Sequence, residues 1–93
     1  FITLDKFIQK ELHSMSEVEI AYLIAGKPDN FRIKILQNIS KTRGDIVLEE
    51  ETLHKPMRKQ DCDTVTNKFF GTLRRAWEDG ALVIIGRDDD VYV

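Results

Sequence analysis

The chain has 93 residues and a mass of 10.8 kDa, which is enough for one domain with one modest hydrophobic core. Its 14 basic and 16 acidic side chains nearly cancel, to a net charge of −2, and this disfavours a non-specific binder of nucleic-acid phosphates, which needs a clear basic excess. The single cysteine, Cys62, excludes an internal disulfide and favours a reducing compartment, and no apolar run approaches the roughly 20 residues that span a bilayer.

Two helices are predicted in the first third of the chain. The first begins after Thr3, whose hydroxyl can cap a helix, and ends near His13. The second begins after Ser16, which forms a capping box with Glu19, and ends at Gly26, a residue suited to the left-handed conformation. The apolar face of the second helix is wide, so we predict a central, buried helix. Its apolar residues are Val18, Ile20, Tyr22, Leu23, Ile24 and Ala25.

A third and a fourth helix are predicted on either side of residues 38–40. Asp29 or Asn30 can cap the third helix, and Ser40 can cap the fourth, which runs over residues 41–52 and is stopped by Pro56. Apolar residues at helical spacing mark the predicted core positions, which are Phe31, Ile33, Ile35, Leu36 and Ile39 in the third helix and Ile46, Val47 and Leu53 in the fourth.

A long fifth helix begins near Asp61 or Asp63 and ends at Gly80. Its predicted seam is Cys62, Val65, Phe69, Leu73 and Trp77, with Phe70 and Ala76 beside it. Residues 81–85 and 91–93 are prone to form strands around a turn at 86–90, which allows a small C-terminal hairpin. The sequence thus predicts an all-α fold, a compact bundle of about five to six helices with a short C-terminal β-hairpin.

No residue pattern is typical of an enzyme or a metal site. His13, His54 and Cys62 show neither Cys-x-x-Cys nor His-x-x-x-His spacing, and the five glycines form no phosphate loop. Residues 88–90 are three aspartates without the alternating ligands of a calcium loop. Cys62 is predicted to be a buried, inert thiol because it lies on an apolar seam. We therefore expect a non-enzymatic protein with no cofactor and no metal.

Charge is the most distinctive feature of the sequence. Residues 49–51 are three glutamates late in the fourth helix, here called the acidic ridge. Three basic residues follow on either side of Pro56, here called the basic corner, and they are Lys55, Arg58 and Lys59. A solvated face explains most charge runs of this kind. The functional interpretation is a partner surface whose charge complementarity sets orientation and encounter rate more than affinity.

Several segments carry a resemblance to a known family by their order and spacing. They are residues 8–26, Lys-Ile-Leu-Gln-Asn-Ile-Ser at 34–40, Pro-Met-Arg at 56–58, Leu-Arg-Arg at 73–75, Glu-Asp-Gly-Ala-Leu-Val-Ile at 78–84 and Asp-Val-Tyr-Val at 90–93. Over nearly all of its length the chain resembles the C-terminal domain of the flagellar motor switch protein FliG.

The resemblance implies a non-enzymatic rotor component at the cytoplasmic face of the inner membrane, at the flagellar basal body. Family members form a ring of like subunits, and their C-terminal domain meets the cytoplasmic loop of the stator protein MotA. The rest of such a chain contacts FliM and FliF, association with the membrane is indirect, and no nucleic acid is bound. Charged residues along the helix that matches residues 38–52 couple ion flow to torque, and reorientation of the domain sets the direction of rotation. The acidic pair of the family corresponds here to Glu49 and Glu50, and its arginine after a proline corresponds to Arg58.

Two positions depart from the family pattern. The family usually has a lysine where Ala25 stands and an arginine where Thr42 stands. Lys27 and Arg43 lie nearby but out of register, and one residue of offset on a helix is about 100°, so we expect Arg43 to point elsewhere. Half of the usual charge set is missing, and the alternative implied is a diverged second copy with a role in motor assembly or placement.

The domain and function predictions follow from these patterns together. Residues 1–93 form one stator-facing domain, and because the chain starts at Phe1 we expect a fragment of a longer protein. The alternative function is a nucleic-acid-binding module of the winged-helix type, which helices followed by a hairpin would suit. The acidic ridge opposes this alternative because nucleic-acid phosphates repel it.

Overall fold

The computed structural model describes residues 2–80 and 82–83, and five helices follow one another there between two short strands. In chain order the elements are β1 (Ile2–Thr3), α1 (Leu4–His13), α2 (Glu17–Ile24), α3 (Asp29–Leu36), α4 (Lys41–Leu53), α5 (Lys59–Glu78) and β2 (Leu82–Val83). The predicted all-α fold is confirmed. The two strands pair in parallel, with Ile2 opposite Leu82, a contact that the sequence did not predict. The turn and second strand of the predicted hairpin, residues 86–93, lie outside the described residues.

The predicted N-caps with a side-chain hydroxyl are confirmed for α1, α2 and α4. Thr3 caps α1, and Ser40 caps α4, each by accepting a hydrogen bond from a backbone N–H three residues later. Ser16 and Glu19 form both bonds of the capping box of α2, at 3.1 and 3.0 Å. Gly26 follows α2 with φ +73°, the left-handed conformation predicted for it. These short-range signals therefore fix where α1, α2 and α4 begin.

The helices α3 and α5 begin without a side-chain cap. The N-cap of α3 is Pro28, and the N-cap of α5 is Arg58, and neither side chain makes a capping hydrogen bond. The predicted cap at Asp29 or Asn30 is therefore wrong, whereas α5 does begin near Asp61, as predicted. Asp29 and Asp61 instead lie inside the first turn of their helices, where negative charge interacts favourably with the free N–H groups.

The core is built around α2, as its wide apolar face predicts. This helix packs against both α4 and α5. Ile20, Ala21, Leu23 and Ile24 are fully buried. The other helices contribute the remaining buried apolar side chains, which are Phe7, Ile8, Leu12, Ile35, Val47 and Phe69.

Several apolar residues predicted to lie in the core are instead exposed. They are Ile33, Ile46, Leu53, Phe70 and Trp77. On α5 Phe70 follows the buried Phe69 and projects about 100° away from it, and Trp77 lies near the end of a helix about 30 Å long, beyond the face that α2 offers. On α4 the cause is the helix orientation, which turns Gly44, Val47 and Glu51 inward. Among the described residues no helix is both long enough and apolar enough to cross a lipid bilayer.

Candidate functional site

The acidic ridge is divided between the two sides of α4. The inner side of this helix carries the buried residues Gly44, Val47 and Glu51. Glu49 is exposed and Glu50 is half-buried. Because successive residues on a helix are about 100° apart, Glu51 projects roughly opposite to Glu49. A solvated face therefore describes Glu49, describes Glu50 only in part, and is wrong for Glu51.

Glu51 is buried because Arg32 of α3 neutralises it. Two guanidinium nitrogens of Arg32 donate to its two carboxylate oxygens, each at 2.9 Å, and the side chain of Glu51 is only 7% exposed. Arg32 also donates to the carbonyl of Ile24 at 3.0 Å. One arginine thus joins α4 to the end of α2, and this contact fixes which side of α4 faces the solvent.

The Arg32–Glu51 pair predicts a stability that depends on pH. The hydrogen bonds from Arg32 lower the pKa of Glu51 below its ordinary value of 4.5, although burial opposes the shift. The unfolded chain therefore takes up this proton at a higher pH than the folded chain. We expect the stabilisation to be complete above about pH 5.5 and to be lost as the pH falls through the folded-state pKa.

The measurement is the urea midpoint between about pH 3 and pH 7, in the chain and in its Glu51→Gln variant. The variant should lose less stability on acidification. Some loss should remain, because a hydrogen bond from Arg43 also lowers the pKa of Glu17. Equal acid-induced losses in the two proteins would contradict the role assigned to Glu51.

Glu50 and Glu49 have different surroundings on the outer side of α4. A carboxylate oxygen of Glu50 lies 3.2 Å from Nε2 of His54, whose ring packs against Tyr22 at 5.9 Å between centroids. The side chain of Glu49 makes no hydrogen bond or ion pair with residues 2–80 or 82–83. Glu49 thus has the more exposed carboxylate of the two, and Glu50 is held beside it.

Arg58 lies at the other end of the α4–α5 connection. Its side chain is 80% exposed, and its Nε is 3.3 Å from a carboxylate oxygen of Asp61. Within the described part of the chain it pairs with this neighbour on α5 and not with Glu49 or Glu50. Lys59, also in the basic corner, is bound by Asp63 at 2.8 Å, which raises the pKa of Lys59. The basic corner is therefore partly neutralised by α5.

Two basic side chains lie next to positions 25 and 42, where the chain departs from the family pattern, and both make hydrogen bonds within the domain. Arg43 donates to Glu17 at 2.9 Å and to the carbonyls of Leu12 and Met15 at 3.1 and 2.8 Å. The expectation that it points away from the α4 surface is confirmed. On the α2 side, Lys27 donates to the carbonyl of Leu23 at 3.0 Å and to the hydroxyl of Thr66 at 2.9 Å. Neither side chain therefore stands in for a cation at Ala25 or Thr42.

A groove of about 760 Å³ lies between the end of α2 and the start of α5. Ala25, Met57, Cys62 and three lysines are among the residues that line it. Cys62 is half-buried, so its thiol is less enclosed than the buried thiol that the sequence predicts. Over residues 2–80 and 82–83, three or more His, Cys, Asp or Glu side chains nowhere gather as a metal site would require.

Comparisons with known proteins place the chain in a family. Residues 3–84 match the family model described as the FliG C-terminal domain. The flagellar motor switch protein FliG of Thermotoga maritima is 29% identical over 80 residues, covering 86% of this chain and 24% of that protein. FliG of Borreliella burgdorferi is 28% identical over 90 residues, covering 96% of this chain and 26% of that protein. The chain thus spans about a quarter of the length of these relatives, and it belongs to the FliG C-terminal domain family.

Proposed function

We propose that the chain is the stator-facing domain of a non-enzymatic component of the flagellar rotor and switch complex. The observation that carries this proposal is that a chain of this family presents Glu49 and Glu50 on the solvent side of α4 while Arg32 turns Glu51 inward. The partner is the cytoplasmic loop of the stator protein MotA. Glu49, Glu50 and Arg58 make the contact by charge, and the complex lies at the cytoplasmic face of the inner membrane.

The other proposed partners contact the rest of a longer chain. By its relatives' names, such a chain is a flagellar motor switch protein. Contacts with FliM and FliF, and the ring of like subunits, are made outside this domain or between copies of it. The membrane is then approached only through these partners.

Stator coupling is expected to be weak in this chain. Ala25 and Thr42 are uncharged, and Lys27 and Arg43 are occupied by internal hydrogen bonds. Lys41, at the start of α4, is paired with Asp45 at 3.2 Å. We infer a diverged copy whose role includes motor assembly, with MotA binding weaker than in a chain that carries the full charge set.

Reversing both outward charges should impair the motor. In cells that depend on this protein, Glu49→Lys with Glu50→Lys is expected to reduce swimming or switching severely, because the surface would repel the cations that it is proposed to meet. The measurement is colony expansion in soft agar together with the tracking of single cells.

The matched control is Glu78→Lys with Asp79→Lys, two exposed acids at the end of α5 whose reversal changes the net charge equally. These cells should swim normally. Unchanged swimming in the α4 variant, or equal defects in both variants, would refute the assignment of Glu49 and Glu50. A pull-down with MotA then separates the two roles, since a torque-generating subunit binds it well and an assembly copy binds it weakly.

The nucleic-acid-binding alternative has less support. The outward carboxylates of α4 repel phosphates, and the cations Arg43 and Lys27 are turned into the fold. A gel shift at low salt tests it directly, and salt-sensitive binding would favour this alternative over the rotor component.

A further inference from the structure

The groove between the end of α2 and the start of α5 has an apolar lining. Ala25, Pro56, Met57 and Cys62 contribute its apolar atoms. Its volume of about 760 Å³ lies within the range of about 300–1,000 Å³ that is usual for the binding sites of small molecules. The proposed stator contact uses none of these four residues, so the groove is a separate feature of the domain.

Positive charge surrounds this apolar lining. Of the three lysines and one aspartate that line the groove, Lys59 and Asp63 form an ion pair at 2.8 Å and neutralise each other. The half-buried Lys27 donates to two neutral oxygens, a backbone carbonyl and a hydroxyl, which leaves one of its three donors. The side chain of Lys55 makes no hydrogen bond or ion pair with residues 2–80 or 82–83. Over these residues, two lysines of the groove therefore have no anionic partner.

We propose that the groove binds a small organic anion in which a carboxylate is joined to an apolar chain, as in a fatty acid of medium length. The carboxylate pairs with the ammonium groups of Lys27 and Lys55, which thereby gain an anionic partner. The apolar chain covers Met57 and Cys62, and the burial of its CH₂ groups supplies most of the affinity. The flexible thioether of Met57 lets the groove adapt to the shape of that chain.

Charge and size distinguish this ligand from other occupants. A neutral apolar molecule leaves Lys27 and Lys55 without an anion, and a cationic molecule is repelled by them. A protein partner is disfavoured by size, because the nine residues that line the groove are far fewer than the roughly 20–30 that a stable protein interface takes from each side. A small anion with an apolar body is therefore the ligand that uses both properties of the groove.

The test uses the thiol of Cys62, which is the single cysteine of the chain and lies in the groove. Its alkylation by N-ethylmaleimide is followed by mass spectrometry at pH 7 as octanoate is added at concentrations below micelle formation. Octanol and octyltrimethylammonium are the matched ligands, because they carry the same chain with a neutral or a cationic head group. We expect octanoate to slow the alkylation, and the other two ligands to need at least about tenfold higher concentrations for equal protection.

Two variants separate the charge of the groove from its shape, each compared with its own alkylation rate without ligand. Lys55→Met removes one cation and should weaken octanoate binding about threefold to fivefold without changing octanol binding. Ala25→Leu fills part of the groove and should weaken the binding of both ligands about tenfold. The matched control is Lys10→Met, which removes an exposed lysine from α1, a helix that contributes no residue to the groove, and should change neither.

Three outcomes would overturn the proposal. Absence of protection by octanoate would show that the groove is not its binding site. Equal protection by the three ligands, or equal octanoate binding in Lys55→Met and Lys10→Met, would show that charge does not select the ligand. A peptide of residues 86–93, in which three aspartates precede Val-Tyr-Val, is the last competitor. If this peptide protects Cys62 at lower concentration than octanoate, the occupant is an acidic protein segment and the small anion is wrong.

Discussion

Replacing Arg32 by methionine is expected to lower the free energy of unfolding by about 2–4 kcal/mol at pH 7. The change leaves the Glu51 carboxylate, only 7% exposed, inside the fold without the two hydrogen bonds of 2.9 Å that compensate its burial. Breaking a fully buried pair costs about 3–5 kcal/mol, and a lower value is expected here because Arg32 itself is 25% exposed. Urea unfolding followed by circular dichroism measures the effect.

The other members of a double-mutant cycle separate the pair from its neighbours. Glu51→Leu should cost less, about 1–2 kcal/mol, because Arg32 can reach solvent and retains the Ile24 carbonyl. Arg32→Met combined with Glu51→Leu should restore most of the stability, since an apolar pair of similar volume needs no compensating charge. The control is Lys41→Ala, which removes an exposed pair with Asp45 and should cost less than about 0.5 kcal/mol.

The pH dependence of Arg32→Met provides an independent check. Without Arg32 the burial of Glu51 raises its pKa, so the variant should recover stability relative to the original chain as the pH falls. Two results would show that Arg32 does not stabilise the buried Glu51. One is a loss of unfolding free energy in Arg32→Met as small as that in Lys41→Ala, and the other is a loss that is the same at pH 4 and pH 7.

The location of Glu51 illustrates what the sequence could and could not predict. Helix caps depend on residues within three positions of one another, and the caps at Ser16 and Ser40 were therefore predictable. The partner of Glu51 lies 19 residues away on another helix, and no local pattern indicates that pairing. One signal was available, because Gly44, Val47 and Glu51 follow the spacing of three and four that marks a single helix face.

The same spacing explains the errors at Ile46 and Leu53. Both were predicted to lie in the core together with Val47, yet Ile46 and Leu53 share a face with Glu49 and Val47 does not. The apolar character of Ile46 and Leu53 favoured burial, whereas the helical period placed them on the exposed face. The prediction from the helical period was the correct one. The sequence therefore predicts one part of the candidate site and not the other. The helical period of 3.6 residues places Glu49 and Glu50 on the outer face of α4, but the burial of Glu51 depends on its tertiary contact with Arg32.

Replacing Arg43 by alanine is expected to lower the free energy of unfolding by about 2–3 kcal/mol. Its guanidinium donates to Glu17 and to the carbonyls of Leu12 and Met15, so one side chain joins the start of α4 to the end of α1 and the start of α2. The carbonyls at a helix C-terminus lack partners within the helix, and a cation there also interacts favourably with the helix dipole. The measurement is again urea unfolding, with Lys41→Ala as the control in the same turn of α4.

The geometry of the arginine side chain, and not its charge alone, is expected to matter. Arg43→Lys keeps the charge, but an ammonium group cannot reproduce a planar fork that serves three acceptors, so this variant should recover less than half of the loss. High salt should leave most of the effect in place, because the bonds to the Leu12 and Met15 carbonyls involve no opposite charge. If Arg43→Lys is as stable as the original chain, or if salt removes the difference, then Arg43 acts as a surface charge beside Glu17 and would be available to a partner next to Thr42. That result would also remove the structural reason to expect weak stator coupling, so the stability of one variant bears directly on the proposed function.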